Sequence, residues 1–332
     1  ILCQKFNDFE LLIINDASTD SSQNCIDLYD DKRIKVIKNE KNLGLVRTLN
    51  KGLEIASGKY IARFDQDDIS LPNRLNNQFN FLENNKDISA ICSWVITINS
   101  IGAKRHYNNQ KIKNYGDFFG YILIGKCPLY HPAVMYRKDD ILSINGYDTN
   151  FSIAEDFDLW RRMAEKRLNV SIINEYGLLH RKHNNNESII NQNKFLDVGC
   201  KIQLETVEKF SNCKDDRNNC LTALLRLSPD PCGREYDKKH LKEIVIYLNE
   251  KVVNNIIKNM KMSRSEIKTF KNRIFKRLGY GVRYIRLLSI LPNLIYYPLF
   301  LVLSPLLNPN IYRSISKSYR KIQQIVLRLS KS

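Results

Sequence analysis

The sequence predicts an α/β protein, with a doubly wound, Rossmann-like domain in front and a helical, membrane-associating region behind it. Three observations carry this. Apolar, β-rich runs alternate with helical stretches between Phe9 and Phe64, the order that builds a parallel sheet covered by helices. Residues 191–270 read as helices. From Lys261 to the end there are 15 basic residues against one acid, Glu266, so most of the net charge of +17 lies in the last stretch of the chain.

The chain has 332 residues, 43% apolar and 10% aromatic, enough for one large core and an appendage. A strongly basic protein invites a nucleic-acid reading. The near-neutral first 260 residues argue against it, because that balance suits an enzyme domain. The eight cysteines form no C-x-x-C pair, which predicts buried thiols in a reducing compartment and no zinc site. The opening ILCQKF reads as the tail of a helix.

Taken in order, Phe9 to Asn15 (FELLIIN) is apolar on both faces, as in a central parallel strand. It is followed by DASTDSS, a turn and helix start in which Asp16, Ser18, Thr19 and Asp20 either cap the helix or line a site at the strand's C-terminal end. Helix is expected over Ser22–Tyr29, strand over Ile34–Lys38, and helix over Leu45–Ala56 after the Asn42-Leu43-Gly44 loop. Tyr60 to Phe64 can be buried only as a strand, and it runs into three carboxylates, Asp65, Asp67 and Asp68. Carboxylates this close repel one another unless a cation lies between them, so a hard divalent metal is the natural companion.

Leu71–Asn84 predicts a helix with Leu75, Phe79 and Leu82 on its core face. A long strand over Ile88–Ile98, a loop over Asn99–Asn114 and a helix over Phe118–Ile124 follow. His131-Pro132 precedes a strand over Ala133–Tyr136. In GYDTNFSIAEDFDLWRR, Phe157, Trp160 and Met163 share one helical face, which puts Glu155 and Asp156 at the helix N-terminus, where the dipole favours ionised carboxylates. Val170–Ile173 is the last expected strand, and helices are expected over Lys194–Phe210, Asn218–Leu227 and Lys239–Met260.

NDASTDSS, NLGLVRTLNKGLEIASGKYIARFDQDD and ISLPNRL together resemble the nucleotide-sugar-binding half of a family 2 glycosyltransferase with the GT-A fold. The likeness covers about residues 1–190 and departs from the family pattern at Asn15 and Ala17, where Asp and Gly are usual. It implies a further strand ahead of Phe9 that the given chain does not include. It implies that Asp16 and Arg47 contact the nucleotide, that Asp65 meets the ribose, and that Asp67, with Asp65 and His183, holds Mn²⁺ or Mg²⁺ against the diphosphate. GLLHRKHNNNES resembles the family's Y-R-x-H-x-x-x-x-S, which brings in His183, with Arg181 as a phosphate contact and His180 as a weaker candidate. His131 is expected at the substrate or diphosphate. Glu155 and Asp156 match the family's E-D motif, with Asp156 as the base for the acceptor hydroxyl and Glu155 orienting the acceptor.

No Q-x-x-R-W pattern follows Trp160, so a single-addition, non-processive hexosyltransferase is expected. The donor is a nucleotide-sugar, a UDP-sugar by preference, and the acceptor a lipid-linked or envelope glycan. An Asn-, Lys- and Ile-rich composition points to an AT-rich bacterial genome and surface-polysaccharide assembly. Residues 271–332 are expected to associate with an anionic membrane at its cytoplasmic face. There Leu287–Leu307 is uncharged over 21 residues, close to the ~20 needed to span a bilayer. Its three prolines and two basic flanks favour an interfacial hairpin, with Tyr312–Leu329 as a surface helix. Two other readings stay open: a catalytically inactive, membrane-bound scaffold of the same family and a basic nucleic-acid-binding protein.

Overall fold

The computed structural model describes residues 1–184, 186–215, 218 and 238–290. Its first compact unit is Ile1–Gly281, and a second begins at Val282, described as helix up to Ile290.

The chain opens with turns rather than a helix tail. Gln4 there is buried and bonds the Leu71 carbonyl (2.8 Å) and the Leu75 amide (3.0 Å), so these first residues seal the start of a later helix. Strand β1 (Leu11–Asn15) pairs in parallel with β2 (Ile34–Lys38) across helix α1 (Ser22–Asp27). Helix α2 (Leu45–Ile55) then leads to β3 (Tyr60–Ala62).

The expected doubly wound order breaks at this point. Among the described residues β1 and β2 form a sheet of their own, and β3 pairs instead, antiparallel, with β7 (Val134–Arg137). The main sheet is six-stranded and mixed. Its order is β3, β7, β5 (Ile88–Ile98), β8 (Asn169–Arg181), β4 (Ile69–Ser70), with β6 (Lys104–Asn108) on β5. The β5–β8 pair is parallel and runs the full length of β5, with register shifts near Trp94.

Helix α3 (Arg74–Asn84) lays Leu75 and Leu82 against Ile91 and Met135, as its apolar stripe predicts. Helices α4 (Tyr115–Leu123), α5 (Lys138–Leu142) and α6 (Glu155–Glu165) complete the domain. In α6 the face of Phe157, Trp160 and Met163 is buried as expected. Trp94 is part of a wall rather than the core, its indole N–H donating to the Gln110 carbonyl at 3.0 Å and its ring against Tyr176.

Helices α7 (Glu187–Ile190) and α8 (Gln192–Ser211) follow, and later α9 (Lys238–Tyr247), a π-helical stretch (Leu248–Val253), α10 (Asn254–Asn259) and α11 (Arg264–Ile290). The single helix expected over Lys239–Met260 thus carries a π segment. The start of α11 closes on α4: a Cβ on Gly116 would lie 2.1 Å from the Glu266 carbonyl oxygen, and Arg273 pairs with Asp117 (2.6 Å) with its guanidinium 3.7 Å over the Tyr121 ring. Phe270 and Ile274 are fully buried, so α11 is amphipathic packing here and its Arg273 is internally paired.

Cys92 is buried as expected, whereas Cys3, Cys25 and Cys127 are exposed. No described helix is long and apolar enough to cross a membrane. The expected Asn218–Leu227 helix beyond Asn218, the apolar stretch Leu287–Leu307 beyond Ile290, and the Tyr312–Leu329 helix lie outside the described residues.

Candidate active site

The acidic turn after β3 is held from beneath by two polar residues of α3. Arg74, 2% exposed, donates to the carbonyls of Arg63 (2.6 Å) and Val134 (3.2 Å), and Gln78 donates to the Ala133 carbonyl (2.7 Å). Burying a guanidinium without a carboxylate is costly, and burial drives its pKa down to about 10. Its hydrogen bonds to carbonyls at the ends of β3 and β7 fix where the chain leaves the sheet.

From that point each acid of the trio goes to a different partner. Asp65 pairs with the guanidinium of Arg63, itself buried. Asp67 Oδ2 lies 3.0 Å from His183 Nε2 and 3.4 Å from the Asn186 amide nitrogen. The Asp68 carboxylate accepts the Arg181 backbone N–H (2.8 Å) and meets His180 Nδ1 at 3.1 Å. The short β4–β8 pairing carries β8 past the acidic turn and delivers both histidines. Side-chain exposure separates the three, with Asp65 at 29% and Asp67 at 26% open to solvent and Asp68 at 0%.

Asp68 is therefore a structural anchor, while Asp65 and Asp67 are open to solvent, Asp67 with His183 beside it. Carboxylate oxygens of all three lie within 4.8 Å of one another. Hard oxygen donors beside one imidazole suit a small divalent cation such as Mn²⁺ or Mg²⁺.

Asp16 lies at the end of β1, as predicted, and its carboxylate is occupied by the protein. It accepts the N–H groups of Leu43 and Gly44 (both 2.9 Å) and the Asn39 amide (2.7 Å). Burial alone would raise its pKa; the hydrogen bonds from Leu43, Asn39, Gly44 and Thr48 outweigh that and lower it. Asp16 thus shapes the Asn42-Leu43-Gly44 loop. Ala17 after it has φ +58°, the left-handed conformation that suits glycine. Arg47 is exposed on the first turn of α2. No hydrogen bond among the described residues joins the Asp16 loop to the acidic trio.

Arg181 differs from expectation. Its guanidinium donates to the carbonyls of Asp67 (2.9 Å), Asn99 (3.3 Å) and Ser100 (3.0 Å), stitching the acidic turn to the end of β5. Its Nε and Nη1 groups brace the acidic turn, a structural role beside the expected phosphate contact.

His131 differs too. It begins a 3₁₀ turn (His131–Ala133), is 6% exposed, and turns Nε2 to the Tyr147 hydroxyl (2.7 Å) and Nδ1 toward Glu155 Oε1 (3.8 Å). Burial, with Arg63 nearby, holds its pKa well below the usual histidine value, so the imidazole is neutral.

Glu155 and Asp156 start α6 after Ala154, which takes a left-handed φ of +61°. The dipole expectation for this pair is overturned. Burial, then repulsion from Asp156, raises the Glu155 pKa to about 7, and burial also raises that of Asp156. Desolvation of two adjacent carboxylates outweighs the helix N-terminus, and the pair titrates as a unit. Asp156 Oδ1 accepts the Phe157 N–H (2.7 Å), and Oδ2 meets Cys127 Sγ at 3.5 Å.

Sequence reasoning missed Arg63, Arg74, Gln78, Tyr136, Tyr147 and Asn186. Arg63 left a signal, being a charge in an otherwise apolar strand that can be buried only beside an acid. The tyrosines left none, because nothing local tells a buried phenol that bonds a histidine from an ordinary core residue.

Residues 1–142 match the family model described as glycosyl transferase family 2. An uncharacterized glycosyltransferase of Methanocaldococcus jannaschii is 38% identical over 187 residues, covering 54% of this chain and 62% of the relative. The putative glycosyltransferase EpsE of Bacillus subtilis is 32% identical over 171 residues, covering 50% and 60%. The chain thus spans about 60% of the length of these curated relatives. The crystal structure of S. aureus TarS 1-349 in complex with UDP-GlcNAc aligns with a TM-score of 0.50 at 14% identity, over 86% of this chain and 83% of that one, a likeness of fold. Residues 1–142 are thus similar to glycosyl transferase family 2, and the mixed-sheet α/β fold that contains them is of the GT-A type.

Proposed function

We propose that the protein is a metal-dependent, inverting glycosyltransferase that moves one sugar from a nucleotide-sugar, a UDP-sugar by preference, to a lipid-linked or envelope glycan at the cytoplasmic face of a membrane. One observation carries the reading. The solvent-open acid Asp65, two residues before Asp67, pairs with the buried cation Arg63, whose charge also acts on Glu155 and Asp156. A donor end and an acceptor end are thereby held on one support.

Asp67, Asp65 and His183 would hold the metal. When bound, the ion supplies charge neutralisation for the diphosphate leaving group. Asp156 accepts the proton of the acceptor hydroxyl as that oxygen attacks the anomeric carbon, and Glu155 shares the charge and orients the acceptor. Inversion follows from a single displacement. Asp16 supports this reading by ordering the Leu43-Gly44 loop, and Arg47 by standing exposed beside it. The UDP-GlcNAc and UDP complexes of the TarS fold relative support a nucleotide-sugar donor. AmsE of Erwinia amylovora, named for amylovoran biosynthesis and 32% identical over 132 residues, supports a surface-glycan setting.

The test is nucleotide release from a panel of nucleotide-sugars by the full-length protein, with and without Mn²⁺. Release that requires metal and is lost in Asp67→Ala and Asp156→Asn is expected. Full activity in both variants would remove the assignment.

A further inference from the structure

We propose that His131 is a positioning residue that holds Glu155 through a directed hydrogen-bond chain running from Tyr136 through Tyr147. The inference rests on the reading of Glu155–Asp156 as the acceptor-side pair.

The chain is buried and built. Tyr136 on β7 is 1% exposed, Tyr147 after α5 is 2% exposed, and their hydroxyl oxygens are 3.3 Å apart. Tyr147 is pinned from α2, where Asn50 accepts its N–H (2.8 Å) and donates to its carbonyl (2.7 Å). Gly146 permits that approach: its φ is +60°, and a Cβ there would sit 2.6 Å from Asn50 Oδ1. On the other side of the imidazole, Trp160 of α6 stacks edge-on at 6.0 Å between ring centres, so the helix carrying Glu155 packs directly on His131.

Counting protons gives the chain a direction. A neutral imidazole has one N–H. If Tyr147 donates to Nε2, Tyr136 can donate to the Tyr147 oxygen, both phenols are satisfied, and the remaining N–H is on Nδ1, facing Glu155. In the opposite order Tyr147 would donate to Tyr136, whose own O–H would then have no acceptor among the described residues, and the Nδ1 lone pair would face the carboxylate. A buried donor left unpaired is costly, so an ionised Glu155 selects the Nδ1–H form. A protonated Glu155 can instead donate to Nδ1 and select the Nε2–H form. At 3.8 Å the Nδ1–Glu155 approach is longer than a hydrogen bond, so it orients the carboxylate by charge and dipole and closes with a small movement of Glu155. The other groups facing Glu155 are Asp156 on its own helix, Arg63 at the end of β3, the Tyr147 hydroxyl, and Glu187 on α7.

The measurement is the histidine tautomer by ¹⁵N NMR on the full chain, followed from pH 6 to 9. His131 is expected to be Nδ1–H at high pH and to gain Nε2–H as the pH falls, and in Glu155→Gln its tautomer should no longer change with pH. An Nε2–H or imidazolium His131 at high pH overturns the proposal, as does the same titration in Glu155→Gln. In kinetics, Tyr147→Phe should lower kcat/KM for UDP release from UDP-N-acetylglucosamine by about 3- to 10-fold near pH 7, shift the pH midpoint upward, and leave the donor KM within about twofold. An unshifted pH midpoint also counts against it. If no nucleotide-sugar is turned over by the wild-type protein, the functional reading fails while the tautomer still decides the role of His131.

Discussion

The imidazole Nε2 of His183 lies 3.0 Å from Oδ2 of Asp67, 116 residues earlier in the chain. This contact joins the acidic turn after β3 to the segment after β8. Alanine at Asp67 removes a solvent-open hard ligand and is expected to lower nucleotide release by more than ~10-fold. Alanine at His183 should chiefly raise the Mn²⁺ concentration needed for half-activity, by about 10-fold. A metal titration of both variants checks this; an unchanged Mn²⁺ requirement in His183→Ala would count against the ligand role.

The Glu155–Asp156 pair should set the pH dependence. Proton acceptance needs the pair deprotonated, so kcat/KM should rise with pH with a midpoint near 7 and fall on the acid side. Stability should run the other way. A carboxyl whose folded pKa is raised from 4.5 to about 7 costs nothing below pH 4.5, and its penalty grows as pH rises through the folded value. Glu155→Gln is therefore expected to be more stable than the wild type at pH 8, on the order of 2 kcal/mol, with the gap closing toward pH 5. Urea melts at the two pH values decide it.

Arg74 is the support on which the acidic turn rests. Arg74→Ala strips donors from the Arg63 and Val134 carbonyls and opens a cavity, which should cost roughly 3–5 kcal/mol. Arg74→Met refills the volume without the donors and should recover only part of that loss. Thermal unfolding of the two variants separates volume from hydrogen bonding.

Two backbone positions should respond in opposite senses. Ala17, at φ +58°, is strained, and Ala17→Gly is expected to stabilise by about 1 kcal/mol. Gly44, at φ 84° and ψ 161°, occupies a region open essentially to glycine alone, and Gly44→Ala should cost about 1–3 kcal/mol while displacing its N–H from Asp16. Equal unfolding midpoints for all three proteins would contradict both expectations.

Membrane association is open to a direct assay. The full chain should co-sediment with phosphatidylglycerol vesicles at low salt and be released near ~0.5 M NaCl, where the Debye length is a few ångströms. Binding to neutral vesicles alone would remove the electrostatic part of that reading.

Much of the element order was legible because it is written locally. The apolar run of β1, the stripe of α3, the long β5, the buried face of α6 and the acids after β3 all depend on neighbours in sequence. What was missed depends on distant chain. Strand β6 (KRHYN) is nearly all exposed and carries no alternating apolar signal, so only its pairing with β5 makes it a strand. Strand β8 runs 13 residues through the polar Asn174-Glu175-Tyr176 stretch because β5 pairs with it on both sides of the register shifts.

The sequence by itself determined that a strand ends in three carboxylates, that a helix begins with Glu155 and Asp156, and that two histidines, His180 and His183, come after the last expected strand. Only the tertiary structure decided which acids face solvent, that Arg181 braces the acidic turn, that His131 is buried beside Glu155, and that burial raises the Glu155 pKa to about 7. The reason is physical. A residue's type sets what it can donate, accept or ionise, while desolvation and partnership are properties of neighbours that folding brings together from elsewhere in the chain.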